Sequence, residues 1–73
     1  MADAKQSTRL TLPRLRAWRL KKVLSQEDLA RSAGVGVSTV IRAEQGSRVN
    51  FATIRRLAQA LGLSSEQLLN GEP

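Results

Sequence analysis

The sequence predicts an all-α protein, and three observations support this fold class. Apolar residues recur three and four positions apart in several separate segments, which is the periodicity of one face of an α-helix. Serine, asparagine and glycine, which commonly begin or end helices, stand at the borders of these segments. No segment alternates between apolar and polar residues over enough positions to predict a β-strand, and the chain contains no internal repeat. We therefore expect five helices around one core.

The size and composition of the chain restrict its architecture. A chain of 73 residues has room for a single domain. It contains no cysteine and no histidine, so disulfide bonds and a His/Cys zinc site are excluded, and stability must come from helix packing and, we expect, from dimerisation. The longest apolar runs are too short to cross a bilayer. Because residues 1–8 lack the apolar stretch of a secretory signal, we expect a cytoplasmic protein.

The chain begins with a polar segment and continues into the first predicted helix. Residues 1–10 are expected to form a flexible N-terminal arm, and residues 11–73 the folded domain. Thr11 is expected to cap a helix from Leu12 to about Val23, with a proline in its first turn, where proline is tolerated. The inward positions of this helix are expected to be Leu15, Trp18 and Leu20.

The next two helices are predicted from Gln26 to Ala33 and from Val37 to Gln45. Ser25 is a favourable N-cap for the first of them, and Gly34 suits the left-handed conformation that ends such a helix. Val35 is expected to fill the angle between the two helices. The small and apolar positions of this segment therefore indicate two helices that cross steeply over a tight turn.

The last two helices are predicted from their caps. Asn50 is expected to cap a fourth helix that ends at Gly62, and Ser64 and Gln67 are expected to form the capping box of a fifth helix that ends before Asn70. The expected core draws on all five helices and on two connections; its residues are Leu15, Trp18, Leu24, Leu29, Ala30, Val35, Val40, Ile54, Leu57, Ala58, Leu61 and Leu68.

The charge balance of the chain favours an anionic partner. Twelve Lys and Arg against six Asp and Glu give a net charge of +6, and the isoelectric point is near 11.5. Nucleic acid is the first candidate for such a chain, although many basic domains only have solvated charged faces. Charge alone leaves both interpretations open.

Several short motifs, in one order along the chain, resemble the Cro/phage-repressor (Xre-like) helix-turn-helix family. The resemblance runs from about Leu15 to Leu69 and rests on Trp18-Arg19, Ser25 to Ala30, Gly34-Val35, Thr39-Val40, Glu44-Gln45-Gly46 and Leu57 to Leu63. It implies a compact five-helix, lambda-repressor-like DNA-binding domain and a sequence-specific transcriptional regulator of double-stranded DNA. It implies no cofactor and no small-molecule ligand.

The resemblance implies that the third helix lies in the major groove and contacts base edges through Val37, Ser38, Ile41 and Arg42. The residue pattern agrees, because a buried stripe through the middle of this helix leaves these four positions outside. Arg42 can bind a guanine with two hydrogen bonds, and Val37 and Ile41 can contact thymine methyl groups. The family often has long polar residues at the first two positions, so valine and serine there leave the operator sequence open.

The expected backbone contacts come from the ends of neighbouring helices. Gln26 resembles the glutamine with which the family contacts a phosphate, although it could also be a plain exposed residue. Arg48 and Asn50 are expected to contact the next phosphates, with Asn50 also capping its helix. Arg19 and Glu44 match a structural ion pair of the family.

Specificity requires two copies, because one short recognition helix contacts too few base pairs to select a site in a genome. In the resembling repressors the C-terminal helix forms the dimer contact, and here Leu63, Leu68 and Leu69 offer apolar surface. We therefore expect a weak homodimer on a palindromic operator. We also expect a repressor, since occupying a promoter is the simplest action of a chain without a ligand-binding or activation domain.

Two other function classes compete with this one. An enzyme is not expected, because histidine, cysteine and tyrosine are absent and most carboxylates stand at helix starts or in the expected ion pair. The second alternative is a protein-interaction module on the same fold, such as an antitoxin or anti-repressor. Val37 and Ile41 on the outer face of the third helix favour it, since they could contact a protein as well as thymine methyl groups.

Overall fold

A computed structural model describes residues 9–73, which form the five expected helices and a small antiparallel sheet. The elements in chain order are β1 (Arg9–Leu10), α1 (Leu15–Lys21), α2 (Gln26–Ala33), α3 (Val37–Glu44), β2 (Val49–Asn50), α4 (Phe51–Ala60) and α5 (Ser65–Asn70). The expectation of an all-helical lambda-repressor-like domain is confirmed, with the sheet as a minor addition. Most of the predicted flexible arm lies outside the described residues.

The sheet corrects the expectation that the chain contains no strand. Arg9 pairs with Asn50 and Leu10 pairs with Val49, so residues 9 and 10 belong to β1 and not to an arm. Each strand has only two residues, which is too short for an alternating pattern to be visible in the sequence. The pairing depends on the path of the whole chain, which brings the start of the domain beside the loop after α3.

The first helix is shorter than predicted. It begins at Leu15 after an N-cap at Arg14, and Thr11 does not cap it. Leu12 instead accepts a hydrogen bond at its carbonyl from the backbone N–H of Leu15, 3.1 Å away, in the turn that precedes the helix. Leu20 was expected inside but is 53% exposed, because it lies beyond the helical face that carries Leu15 and Trp18.

The predicted bounds of the helix-turn-helix are confirmed to within one residue. The α2 helix spans the predicted residues, and the Ser25 side chain forms a capping box with Asp28. Gly34 ends it in the left-handed conformation at φ 71°, and the N–H of Val35 donates to the carbonyl of Ala30 over 3.0 Å. The α3 helix ends at Glu44, one residue before the predicted end.

The caps of the last two helices are those that the sequence predicts. The Asn50 side chain accepts a hydrogen bond from the N–H of Thr53 over 2.8 Å, which begins α4. Ser64 and Gln67 form the capping box of α5. The C-terminal segment then returns to α1, where the indole N–H of Trp18 donates to the carbonyl of Gly71 over 3.3 Å.

The core is a single cluster to which every helix contributes. Most of the expected core residues are buried, whereas Leu24 and Val35 are only half-buried at its edge. The buried apolar residues that the expected core omitted are Leu12, Ala33, Ala43 and Val49. Val49 belongs to the unpredicted sheet and Leu12 follows its first strand, which explains why helical periodicity does not mark them as core. No helix within residues 9–73 has the length and apolar character needed to cross a membrane.

Val23, between α1 and α2, has an unfavourable backbone conformation. Its φ is 58°. Val23 lies where the chain leaves α1, and the N–H of the next residue, Leu24, donates to the carbonyl of Arg19 over 3.1 Å. A β-branched residue is strained in this left-handed region. We expect Val23→Gly to raise the free energy of unfolding by about 1 kcal/mol, because the strain disappears and the side chain, 86% exposed, buries little surface.

Urea unfolding followed by circular dichroism measures this change. Val23→Ala is the matched control: it removes the branched side chain but keeps a Cβ in the left-handed region, so it should gain less than the glycine variant. A glycine variant less stable than the alanine variant would contradict the assignment of backbone strain to this residue.

Candidate nucleic-acid interface

The outer face of α3 is the centre of the candidate interface. Val40 and Ala43 are buried beneath the helix, against α2 and the core. Of the four residues expected to contact bases, Ser38 and Arg42 are exposed, Val37 is 39% exposed and Ile41 is half-buried. Because residues 37, 38, 41 and 42 lie within two turns on the same side, α3 presents a mixed surface with one cation, one hydroxyl and two aliphatic side chains.

A polar groove runs along one flank of α3, and we call it the Arg42 groove. It has a volume of about 320 Å³ and lies between the end of α3, the sheet and the start of α4. Its lining residues are Arg9, Thr39, Arg42, Ala43, Ser47, Arg48, Val49, Asn50 and Thr53. Two of the three residues expected to contact phosphates, Arg48 and Asn50, thus lie beside Arg42, which was expected to contact a base.

The opposite flank of α3 contains a second polar groove, the Ile41 groove. It is lined by Arg16, Arg19, Gln26, Ile41, Glu44 and Gln45, and has a volume of about 380 Å³. Gln26, the third residue expected to contact a phosphate, is half-buried here, and its side-chain amide donates to Glu44 Oε1 over 3.1 Å. The Gln26 side-chain amide is therefore held toward α3. The backbone N–H groups in the first turn of α2 have no hydrogen-bond acceptor within the helix, as at any helix start.

Arg19 and Glu44 form a buried ion pair between α1 and α3. Arg19 Nε donates to Glu44 Oε2 over 2.5 Å, and Arg19 Nη2 donates to Glu44 Oε1 over 3.1 Å, so the guanidinium contacts both carboxylate oxygens. A third donor, Arg19 Nη1, binds the carbonyl of Leu24 over 2.7 Å. The side chains are only 9% and 6% exposed, which makes the geometry of this pair decisive for the placement of α3.

The surroundings of Glu44 favour its ionised form. Burial by itself would raise the pKa of the carboxyl group, but the hydrogen bonds from Arg19 and Gln26 and the positive charges of Arg19 and Arg16 together lower it below its ordinary value. The pKa of Arg19 is raised, first by its hydrogen bond with Glu44, against the opposing effect of burial. Both groups therefore stay charged in the folded protein.

The residues expected at the dimer contact do not all lie at the surface. Leu68 is 0% exposed, so its expected place in the core is confirmed, whereas its expected contact with a second copy is wrong. Leu63 and Leu69 are half-buried. Leu69 lines an apolar groove of about 200 Å³, whose other lining residues are Leu10, Phe51, Ile54, Arg55 and Ser65.

Sequence reasoning missed Arg9 and Thr53 as members of the Arg42 groove. Arg9 was assigned to a flexible arm, and it reaches the groove only because β1 pairs with β2. No local pattern marks a two-residue strand, so the sequence offered no signal for it. Thr53 could have been found from the cap of α4, because the N3 position of a capped helix lies beside the capping residue. Within the described residues, no group of His, Cys, Asp or Glu side chains could hold a metal ion.

The fold and this surface define a helix-turn-helix protein, and comparisons with known proteins support that class. A sequence model described as helix-turn-helix matches residues 15–68, which is more than half of the chain. The chain belongs to this Xre/Cro-like helix-turn-helix family, a family of DNA-binding regulators and not of enzymes, as the resemblance of its motifs implies. No curated protein matches the sequence.

A solved structure provides an independent comparison of the fold. A chain of the SinR protein/SinI protein complex superposes with a TM-score of 0.75 at 24% sequence identity. The superposition covers 84% of this protein and 61% of that chain, so this protein spans less than two thirds of the chain that it matches. At this identity the likeness establishes the shared fold.

The ion pair makes the stability of the protein depend on pH. The pKa of Glu44 in the folded state lies below its ordinary value of 4.5, so its carboxylate stabilises the fold above that pH, and this contribution is lost as the pH falls through the lowered pKa. At neutral pH we expect Glu44→Gln to lower the free energy of unfolding by about 3 kcal/mol, because Arg19 stays charged and loses its counter-ion. The difference between the two proteins should narrow in acid, as measured by urea unfolding over a pH series.

Glu66→Gln is the matched control, since it removes an exposed carboxylate from the first turn of α5 and should change stability by less than about 1 kcal/mol. The pKa of Asp28 is also lowered, chiefly by the hydrogen bond from the backbone N–H of Ser25, but Asp28 titrates equally in both proteins and cancels in the difference. A difference between parent and Glu44→Gln that is the same in acid as at neutral pH would contradict the assignment.

Proposed function

We propose that the protein is a sequence-specific transcriptional regulator, acting as a repressor, that recognises double-stranded DNA with α3 in the major groove. The observation that carries the proposal is the combination of an exposed outer face on α3 with polar grooves along both of its flanks. A helix in the major groove contacts base edges with its outer face, while residues beside it contact the two phosphate backbones. Membership of the helix-turn-helix family supports this geometry.

The base contacts are assigned to Val37, Ser38, Ile41 and Arg42. Arg42 is exposed at the rim of its groove and can donate two hydrogen bonds to a guanine. Val37 and Ile41 provide aliphatic surface for thymine methyl groups, and the Ser38 hydroxyl can donate or accept. Recognition of the base sequence thus depends on Arg42 and on the fit of the α3 surface to the base edges. The other three side chains discriminate weakly among bases.

The phosphate contacts are assigned to Gln26, Arg48 and Asn50, which lie on the two flanks of α3. Arg48 is exposed next to Arg42, and Asn50 keeps its capping role while its backbone belongs to the sheet. Because the Gln26 side chain is bonded to Glu44, its phosphate contact is expected to use the N–H groups of the first turn of α2 as well.

Residues 11–73 are proposed as the DNA-binding domain, to which β1 adds residues 9 and 10. Repression is the simplest action of such a domain, because occupying a promoter needs no contact with another protein. As a DNA-binding regulator, the protein is expected to act in the cytoplasm.

A second copy is needed for specificity, and we propose that it binds beside Leu63 and Leu69. Leu69 lines the apolar groove, and its neighbours Leu10 and Phe51 are each 39% exposed, so apolar surface is available there without Leu68. The patch is small compared with the roughly 1,200 Å² of a stable interface, which favours a weak homodimer completed on DNA. Two-fold symmetry would then require a palindromic operator with half-sites about 34 Å apart.

A protein-interaction module, such as an antitoxin or anti-repressor, is the second candidate. The exposure of Val37 favours it, and the superposed chain comes from a complex of two proteins. Electrophoretic mobility shifts with genomic fragments at several salt concentrations separate the two candidates. A DNA-binding regulator retards fragments at low salt, whereas a module that binds only protein retards none.

Arg42 and Arg48 lie in one groove and carry the same charge, so they form a matched pair of variants. Arg42→Ala should lose about 1 to 3 kcal/mol on the preferred site and relax discrimination at one base pair, because its hydrogen bonds depend on the base. Arg48→Ala should weaken binding to all sequences equally, as the loss of a phosphate contact does. Fluorescence anisotropy on duplexes selected from a random pool measures both. Equal losses on specific and non-specific DNA for both variants would contradict the role of α3.

Leu69→Glu tests the dimer. A carboxylate in the apolar groove should leave the monomer folded and keep binding to a single half-site, but it should abolish cooperative binding to the palindrome. Leu20→Glu introduces the same charge at an exposed position on α1 and should retain cooperativity. A Leu69→Glu protein that binds the full palindrome as tightly as the parent would show that the interface lies elsewhere.

A further inference from the structure

We infer that Arg9 is a DNA-contacting residue and that the Arg42 groove binds a backbone phosphate between Arg9 and Arg48. This inference rests on the proposed function and extends its site by a residue that helix patterns and the helix-turn-helix motif do not mark. It also gives the two-residue sheet a role, because the sheet holds an arginine from the start of the domain beside the recognition helix.

The pairing of the two strands determines which side chains enter the groove. Arg9 lies opposite Asn50, and Leu10 lies opposite Val49, and side chains of residues paired in this way share one face of a sheet. Leu10 and Val49 therefore share the apolar face, where Val49 is buried and Leu10 lines the apolar groove. Arg9 and Asn50 share the other face, and both line the Arg42 groove.

The groove concentrates positive charge, and no residue of the described part of the chain provides a counter-ion for it. Arg9, Arg42 and Arg48 all line it, and no carboxylate is among its lining residues. Among residues 9–73, none of these three guanidinium groups forms a salt bridge, whereas Arg14, Arg19 and Arg31 are paired with Glu72, Glu44 and Asp28. Three arginines that repel one another in one groove favour binding of an anion, and a guanidinium matches the oxygens of a phosphate.

The groove also contains neutral donors suited to phosphate oxygens. Thr39, Ser47 and Thr53, which have hydroxyl groups, and Asn50, which has a side-chain amide, also line it. Most protein contacts to the DNA backbone use such groups together with arginine and lysine. Since Arg42 of α3 and Arg9 of β1 line the same groove, a phosphate held here would lie next to the base that Arg42 contacts.

The phosphate could belong to DNA or to a free anion, and the position beside the recognition helix favours DNA. The salt dependence of binding measures this directly, because each neutralised phosphate adds about 0.9 to the slope of log K against log salt concentration. We expect Arg9→Gln to reduce the slope by about 0.9 and to weaken binding to every duplex by a similar factor. Fluorescence anisotropy with a labelled random-sequence duplex over a potassium chloride series provides the slope.

Two further variants control for fold and for overall charge. Arg31→Gln also removes one arginine, but from the exposed last turn of α2, where it lines none of the three grooves, and should leave the slope unchanged. Arg9→Lys keeps the charge and should retain the slope even if the sheet is perturbed. Thermal unfolding by circular dichroism checks that all four proteins are folded at the assay temperature. An Arg9→Gln slope equal to that of the parent, with the parent binding DNA, would overturn the role of Arg9 and leave the proposed function intact.

The remaining outcomes are also decisive. If the parent binds no duplex at any salt concentration, both the proposed function and this inference fail. Inorganic phosphate, titrated at constant ionic strength, tests the free anion through the amide signals of Ser47 and Thr53 in ¹⁵N-edited NMR spectra. We expect no saturable shift of these signals. Saturable shifts together with an unchanged salt slope in Arg9→Gln would assign the groove to a free phosphate and overturn the inference.

Discussion

The position of the recognition helix depends on the ion pair between Arg19 and Glu44. One carboxylate accepts hydrogen bonds from Arg19 on α1 and from Gln26 on α2, while it is itself part of α3. Arg19 uses its third nitrogen, Nη1, to donate to the carbonyl of Leu24, in the connection between α1 and α2. Within the described residues no buried side-chain nitrogen or oxygen lacks a partner. Because charges are costly to bury without partners, this network strongly favours one arrangement of the three helices.

The turn and the packing of the helix-turn-helix set the angle between α2 and α3. Gly34 ends α2 in the left-handed conformation, and α2 and α3 then pack closely through Ala30, Ala33, Val40 and Ala43. Small side chains allow the two helix axes to approach, and the outer face of α3 stays available for contact. The same packing therefore builds the core and exposes the surface that is proposed to contact DNA.

The surface around the sheet has a polar side, with the Arg42 groove, and an apolar side, with the groove that Leu69 lines. The sheet lies at the boundary, since one of its faces contributes Arg9 and Asn50 to the Arg42 groove and the other contributes Leu10 to the apolar groove. A two-residue sheet has little stability of its own, so Val49, buried in the core, must hold it in place. The proposed DNA contact and self-association thereby use neighbouring but separate surfaces.

The sequence by itself determined the helices whose ends carry local signals. Ser25, Asn50 and Ser64 bond to backbone groups three residues away, and Gly34 adopts a conformation that other residues avoid, so these borders follow from short-range chemistry. The outer face of α3 also followed, because its buried stripe repeats with the helical period. Only the tertiary structure decided the sheet and the place of Arg9, and only its packing showed that Leu68, assigned from the sequence both to the core and to the dimer contact, belongs to the core alone. The sheet and the place of Arg9 depend on contacts between residues far apart in the chain, for which neither a cap nor a period leaves a trace in the sequence.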